Sequence, residues 1–363
     1  MDGFDAIIVG GSFAGLSVAS QLSKWKVLII DEKPIGKEIK STCGTYLKLV
    51  QELGLEETVM QVHKKFVVHT EKRTFEYNLE ENPFCVIDEE NFNRKLFERT
   101  KAKFLQARYI SNQDNVVKTD KGEFKGKILV DASGPRAVLT YKIDVHDNRN
   151  LFFGIETITP YKEEGLHYYF LPKIFRSGVF WIFPQGETSR IGIGSYKAEL
   201  HIEQKLEEFL SKFNVKKENL HGGFGTHKLR RGVFNNIFIV GDAAGQCIPL
   251  TAEGIRPAII FGQKCGTIIN DVLSEKINLP EGLKDYDDFL SSKRGLYKIS
   301  KLLQEFYLKC PISLLHMLIL FTTRKKVTEL ILKIYLGFLE DKDAQVISSS
   351  YPLEKAEVLA EKA

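Results

Sequence analysis

The chain has 363 residues, a formal net charge of +4, and 43% hydrophobic and 27% charged side chains. That length holds two or three lobes with sizeable cores, and the balance excludes a disordered or fibrous protein. The mild charge, with no stripe of Lys and Arg interleaved with stacking aromatics, speaks against a nucleic-acid partner.

The first thirty residues organise the rest. Ala6-Ile7-Ile8-Val9 is an apolar run without polar alternation, which suits a parallel strand buried on both faces. Gly10-Gly11-Ser12-Phe13-Ala14-Gly15 follows at once, then small and apolar residues (Leu16, Val18, Ala19, Leu22) that suit a helix packed on a sheet. A second apolar run, Val27-Leu28-Ile29-Ile30, ends in Asp31. Strand, glycine turn, helix, strand and acid form the fingerprint of a dinucleotide-binding unit. Gly10 allows the tight turn, and Gly15 lets the helix lie close to the sheet. The free amides at the helix start receive a pyrophosphate, and Asp31 accepts hydrogen bonds from an adenosine ribose. Ser12 stands where the middle glycine belongs. The motif alone does not separate FAD from NAD, and a plain βαβ crossover is the alternative.

The strand begins so close to Met1 that no signal peptide is expected, and no apolar run reaches the roughly 18–20 residues of a transmembrane helix. Residues 33–44 form a long polar connection, a type that is often functional. Short strands are expected within 62–80, an amphipathic helix over 89–103, and strands at 107–111, 115–119 and 127–131. The last enters a second small-residue turn, Ala132-Ser133-Gly134-Pro135. From about Leu151, Gly and Pro punctuate strand-like segments at 151–158, 166–171, 178–183 and 189–196, as an antiparallel sheet requires. A helix over 199–213 follows. The buried strand Ile237-Phe238-Ile239-Val240 then leads to Gly241-Asp242-Ala243-Ala244-Gly245 and a small-residue helix from about Gly254 to Asn270.

The last third is helical and rich in Leu, Ile and Lys. Residues 312–321 are apolar and flanked by Lys309 and by Arg324-Lys325-Lys326. This segment is too short to span a bilayer; it suits either a membrane interface or a buried helix hairpin. The tail beyond about Asp343 is expected to be loosely ordered. The five cysteines (Cys43, Cys85, Cys247, Cys265, Cys310) are scattered and form no CxxC pair. Neither a disulfide framework nor a metal site is expected, and a reducing compartment is.

Three stretches carry a family resemblance: the opening GGSFAG with Ser-Thr-Cys-Gly at 41–44, Phe180-Trp181-Ile182-Phe183-Pro184-Gln185-Gly186 running into Arg190-Ile191-Gly192-Ile193-Gly194, and Gly241-Asp242-Ala243-Ala244-Gly245 continuing to Pro249, Glu253, Gly254 and Ile255. Over roughly residues 4 to 270 the chain resembles the geranylgeranyl reductase family, a branch of the para-hydroxybenzoate hydroxylase-like flavoproteins. The resemblance implies an α/β fold: a Rossmann-type FAD-binding domain over 1–150 and 231–290, an inserted antiparallel β-sheet substrate domain over 151–230, and a C-terminal helical region over 291–343 ahead of the tail, 344–363. It implies FAD contacts from Gly10, Ser12, Ala14, Gly15, Asp31, Glu32, Cys43, Gly44, Gly134, Asp242, Gly254 and Ile255. It implies substrate contacts from Trp181, Phe183 and Pro184, Trp181 and Phe183 sharing one strand face by period two. The amides opening the helix at Gly254 and Ile255 would favour negative charge on the reduced flavin.

In the reductases a Cys-Gly at this point lies near the flavin and affects catalysis, so Cys43 is the candidate catalytic residue. It would place the substrate, supply a proton, or pair transiently with another thiol such as Cys247; the alternative is a small buried hydrophobe. The chain departs from the family at Val179 and Arg176, where tyrosine and proline are usual, which bears on substrate shape. The Ala-Asp-Gly-x-x-Ser-x-x-Arg string of the hydroxylase branch is here Ala132-Ser133-Gly134 with Ala137 and Thr140, which argues against aromatic hydroxylation.

The activity this implies is FAD-dependent saturation of geranylgeranyl C=C bonds on a membrane ether lipid, prenyl alcohol or prenyl diphosphate. Electrons would come from NAD(P)H or reduced ferredoxin, the latter making an electron-donor protein a partner. The implied location is cytoplasmic, with peripheral contact on the inner membrane face. Two rivals are an FAD-dependent monooxygenase and a non-enzymatic lipid-binding protein on the same fold.

Overall fold

Unalternated apolar runs form the middle of an eight-stranded sheet. In the computed structural model, which describes residues 3–37, 42–143, 151–337 and 339, its main path runs Val233–Phe234, Ile237–Ile239, Gly122–Asp131, Gly3–Val9, Val27–Asp31, Lys103–Gln106. Every pairing on this path is parallel except that of Val233–Phe234 with Ile237–Ile239, and Ile8 lies in register between Val130 and Ile29. Burial on both faces explains the composition: Ile8 and Ile29 face one core, while Ile7, Leu28 and Ile30 face another. Strands Val116–Thr119 and Tyr109–Gln113 extend this sheet as an antiparallel meander from Gly122–Asp131.

The chain leaves the first strand toward Val27–Asp31 on one side and later returns to its other side with Gly122–Asp131. The carboxyl ends of these two strands, at Val9 and Asp131, therefore flank the crevice where open α/β sheets take their ligands. Helix Phe13–Ser20 leaves that crevice and is crossed by helix Ile255–Leu273. A Cβ on Gly262 or Gly266 would stand 2.7 Å or 2.6 Å from the carbonyl oxygen of Ala14 or Val18, so the crossing needs glycine at both.

The second sheet has seven strands, in the order His221–Thr226, Leu151–Thr159, Thr188–Ser195, Gly178–Gln185, Leu166–Phe170, Lys65–Thr70, Thr74–Asn78. All pairings are antiparallel except Leu166–Phe170 with Lys65–Thr70. The two strands within 62–80 thus complete the sheet expected over 151–230, a long-range pairing that local pattern does not reveal. One face, with Phe180, Ile182, Ile191 and Ile193, packs on helix Glu203–Ser211. The other face carries Val179, Trp181 and Phe183. A small third sheet joins Gly44–Tyr46, Phe84–Ile87 and Val59–His63.

Helices Arg294–Lys309, Ile312–Thr322 and Lys325–Gly337 follow, with Pro311 breaking the first from the second. The apolar segment over 312–321 does not form a buried hairpin. Leu315 is buried, whereas Met317, Leu318, Leu320 and Phe321 are exposed. No helix among the described residues is long and apolar enough to cross a membrane. The residues expected to form a tail lie outside the described residues.

The Gly-x-Gly after the Trp strand has a packing cause. Trp181 stands opposite Gly192, and a Cβ at Gly192 would meet the indole at 2.3 Å and the Glu156 Cβ at 2.7 Å. Gly192→Ala should therefore lower stability by about 1–3 kcal/mol, the usual cost of overpacking, measured by chemical denaturation.

Candidate active site

The turn after the first strand is built for close approach. Gly10 has φ +118°, and a Cβ there would sit 2.1 Å from the Ala132 carbonyl oxygen. A Cβ on Gly15 would meet the Gly10 carbonyl oxygen at 2.0 Å. Ser12 needs no glycine: it is extended (φ −116°, ψ −168°), exposed, and makes no side-chain cap. The opening amides of helix Phe13–Ser20 are thereby left for a ligand. Asp31 Oδ2 accepts from Gly11 N at 2.7 Å and Oδ1 from Lys33 N at 3.0 Å, which fixes the carboxylate at the strand end. Glu32 is exposed beside it.

The second turn is held by Asp131, which is buried and accepts from Ser133 Oγ, Leu139 N and Thr140 Oγ1 at 2.5, 3.2 and 2.7 Å. This knot aims Gly134, at φ +74°, into the crevice.

The third turn is held from behind. Gln246 Oε1 accepts from Gly241 N at 2.5 Å, and Gln246 Nε2 donates to Tyr286 at 3.1 Å. Arg230 Nη1 donates to the Asp242 backbone carbonyl at 3.3 Å, but the Asp242 carboxylate receives no hydrogen bond from any described side chain and lines the crevice. Burial pushes its carboxyl up to about 7, against the pull of the Arg230 guanidinium. Gly254 then opens helix Ile255–Leu273 with no side-chain cap. Arg256 clamps Glu253 there at 2.7 and 3.0 Å and also donates to the backbone carbonyls of Tyr335 and Leu336. That clamp ties the last helix to the site.

These turns open into one cavity of about 860 Å³. Ser12, Ala14, Gly134, Asp242, Gly254 and Ile255 line one part; Val179, Trp181 and Phe183 line the sheet wall. Helices of the last third close it with Leu303, Phe306, Leu318, Ile319 and Ile331. Two tyrosines of the wall have their hydroxyls taken up by backbone carbonyls: Tyr196 donates to Leu250 O at 2.7 Å and Tyr307 to Gly178 O at 2.8 Å.

Cys43 sits between the two parts. It is buried, at φ +60°, with its carbonyl accepting from Ile87 N at 3.0 Å. Its thiol donates to Glu89 Oε2 at 3.3 Å. Burial raises the thiol well above its ordinary range, and the Glu89 charge adds to this while Arg190 opposes it. Burial likewise pushes Glu89 up to about 7. The next residue, Gly44, admits the Phe183 ring, which a Cβ would meet at 2.6 Å. Nearby, Arg190 pairs with Glu156 at 2.8 Å, both buried, and His221 Nε2 and Trp181 Nε1 donate to the same carboxylate at 2.9 and 3.0 Å.

The structure therefore gathers Ser12, Ala14, Cys43, Gly44, Gly134, Trp181, Phe183, Asp242, Gly254 and Ile255 around one cavity. Gly10, Gly15 and Asp31 shape the turn from behind, and Glu32 lies outside the lining. Pro184 does not line the cavity; its carbonyl accepts from His63 Nε2 at 2.9 Å. All five cysteines, Cys43 and Cys247 included, are free thiols. Glu89, Glu156 and Arg190 are the site residues that sequence reasoning missed. The signal for Arg190 and Glu156 was a charge inside a strand otherwise buried; Glu89 was hidden in the acidic first turn of a helix.

No family model matches the chain. It is 25% identical over 342 residues to a digeranylgeranylglycerophospholipid reductase of Methanocaldococcus jannaschii, covering 83% of this chain and 85% of that one. A crystal structure of a geranylgeranyl bacteriochlorophyll reductase-like protein from Thermoplasma acidophilum superposes with a TM-score of 0.80 at 18% identity, over 96% of this chain and 98% of that one. The chain is similar to the geranylgeranyl reductases and has the fold of that group of flavoproteins. A halogenase solved in complex with FAD shares the fold more distantly, with a TM-score of 0.65 at 13% identity over 84% of this chain and 76% of that one.

The flavoprotein is an FAD-dependent oxidoreductase, and the crevice fits the cofactor. Two uncapped helix starts offer amides, and an unpartnered carboxylate waits for hydroxyl donors. Backbone approaches at Gly10 and Gly15 leave no room for a Cβ. Asp242 would hold the cofactor as a carboxylate accepting hydrogen bonds. Because its own pKa is about 7, that form is depleted as pH falls through 7. FAD binding to the flavin-free protein should thus tighten as pH rises toward 7 and then level off, read by quenching of flavin fluorescence. Asp242→Asn should bind at least about tenfold more weakly, the size expected for a charged hydrogen bond, and lose the pH dependence.

Proposed function

We propose that this flavoprotein saturates isoprenoid C=C bonds of geranylgeranyl chains carried by a membrane lipid. The observation that carries the reading is the cavity: its far part is walled by Leu, Ile, Phe and ring faces, and it joins the flavin-side turns without a break. Reduced FAD supplies a hydride when bound. The name of the Methanocaldococcus relative supports a glycerophospholipid carrying two geranylgeranyl chains as the substrate class.

An isolated alkene has no carbonyl to polarise, so the chain's own residues must exclude water and hold the double bond in place. Trp181 and Phe183 do this from the sheet wall. Trp181 cannot swing, because its indole lies on Gly192 and Gly194 and its N–H is tied to Glu156. Phe183 is pinned against Gly44, next to Cys43. Cys43 is the group best placed to hold a proton at the junction of the two parts.

The mouth of the cavity supports docking on a membrane. Ile299, Leu303, Phe306, Leu318 and Ile331 line the cavity yet are 58%, 50%, 42%, 41% and 44% exposed. Residues 294–337 carry eight Lys and Arg against two Glu. Exposed apolar helix faces with basic flanks suit an anionic lipid surface, from which a chain could enter the cavity directly.

Anaerobic, dithionite-reduced enzyme incubated with a digeranylgeranyl lipid should yield products heavier by whole hydrogen pairs in mass spectra. Oxygenated products, or unchanged lipid, would contradict the reading. In a flotation assay the protein should rise with vesicles containing anionic lipid, and Phe321→Ser with Leu320→Ser should reduce the bound fraction several-fold without loss of FAD.

A further inference from the structure

We propose that Glu89 is the proton source for Cys43, so that the Cys43–Glu89 pair, and not the thiol alone, protonates the alkene. The inference rests on the alkene-reduction reading above and assigns a group that reading lacks.

The geometry is direct. Cys43 Sγ lies 3.3 Å from Glu89 Oε2, and both residues line the cavity. Glu89 is the first residue of helix Glu89–Glu98, whose N-cap is Asp88; the neighbouring Glu90 turns outward to Lys37. Only Glu89 of this acidic run is buried.

A buried thiol is a poor acid by itself. Giving up its proton would leave a thiolate in apolar surroundings, a few ångströms from a carboxylate if Glu89 were ionised. A neutral Glu89 removes that obstacle: when the thiol proton turns to the alkene, the same contact reverses, the carboxyl O–H donates to the sulfur, and its proton is handed over as the S–H bond breaks. The charge left behind then rests on the carboxylate, where Arg190 stabilises it. The groups that face Glu89 are Cys43 from the loop, Arg190 and Glu156 from the sheet, and His221 from the adjoining strand. Burial dominates and favours the neutral form, with Glu156 adding to it; the hydrogen bond from Cys43, then Arg190 and His221, favour the ionised one.

The π electrons of the alkene form a C–H bond with the Cys43 proton, and the S–H bond breaks. The second C–H bond takes its electron pair as hydride from the reduced flavin. Glu89 O–H breaks to restore S–H, and Glu89 regains a proton from water before the next turnover.

Infrared titration of the flavin-free protein tests the pair without any turnover. The part of the protonated-carboxyl absorption that is missing from Glu89→Gln but kept in Asp242→Asn should disappear as pH rises through about 7. The S–H band identified by its loss in Cys43→Ser should shift over the same pH range. With dithionite-reduced enzyme and a digeranylgeranyl lipid, the wild-type rate should fall as pH rises above 7. Glu89→Gln should lose about 100-fold or more below pH 7, the low end for general acid catalysis, and show a flat profile. Glu89→Asp, which keeps the acid but shortens its reach, should recover part of the rate and a pH limb; it also serves should Glu89→Gln fail to retain FAD. Wild-type reduction with an unchanged rate and pH limb in Glu89→Gln overturns the relay alone. A wild type that leaves every double bond intact overturns the alkene reading, and the relay with it, whatever the infrared bands do.

Discussion

The indole of Trp181 joins the two kinds of environment that the site requires. Its ring lies flat over strand positions where only glycine fits, and so forms part of a dry wall. Its N–H reaches Glu156, whose carboxylate also takes Arg190 and His221. One side chain thus fixes the apolar wall and anchors it to a buried ionic cluster. Breaking such a cluster by removing one partner is costly, typically about 3–5 kcal/mol, so the wall inherits its rigidity. A greasy cavity held this firmly beside charged groups is suited to chemistry that needs both dryness and a proton.

The rest of the fold serves that junction. The parallel sheet ends its first and Gly122–Asp131 strands at the crevice, and each of three turns there is braced from behind by a polar knot. Asp31 fixes the first, Asp131 the second, and Gln246 with Tyr286 the third. Bracing from behind leaves the amides of the helix starts and the Asp242 carboxylate unspent. The C-terminal helices enclose the far end and are themselves tied back to the third turn through Arg256, Glu253 and Tyr335.

Much of this was legible in the sequence because the signals are local. Unalternated runs such as Ile7-Ile8-Val9 announce a buried parallel strand, and Gly10 with Asp31 announces the nucleotide turn. Period two put Trp181 and Phe183 on one face, where both line the cavity. What was hidden depends on partners distant in the chain. The pairing of Lys65–Thr70 with Leu166–Phe170 has no local signature. Glu89 reads as one acid among three at a helix start until the loop at Cys43 is folded over it. Residues 312–321 read as a buried hairpin ahead of an interfacial helix, because hydrophobicity alone does not say whether other chain or lipid will cover a helix.

The central claim is that an alkene reaches the reduced flavin in a water-free slot. Single-turnover absorbance of the reduced holoenzyme, mixed with a digeranylgeranyl lipid under strict exclusion of oxygen, tests this most directly. The account predicts return of the oxidised flavin spectrum in step with lipid saturation, and no return with the fully saturated lipid. Flavin that stays reduced with the unsaturated lipid and reoxidises only on admission of oxygen would contradict it.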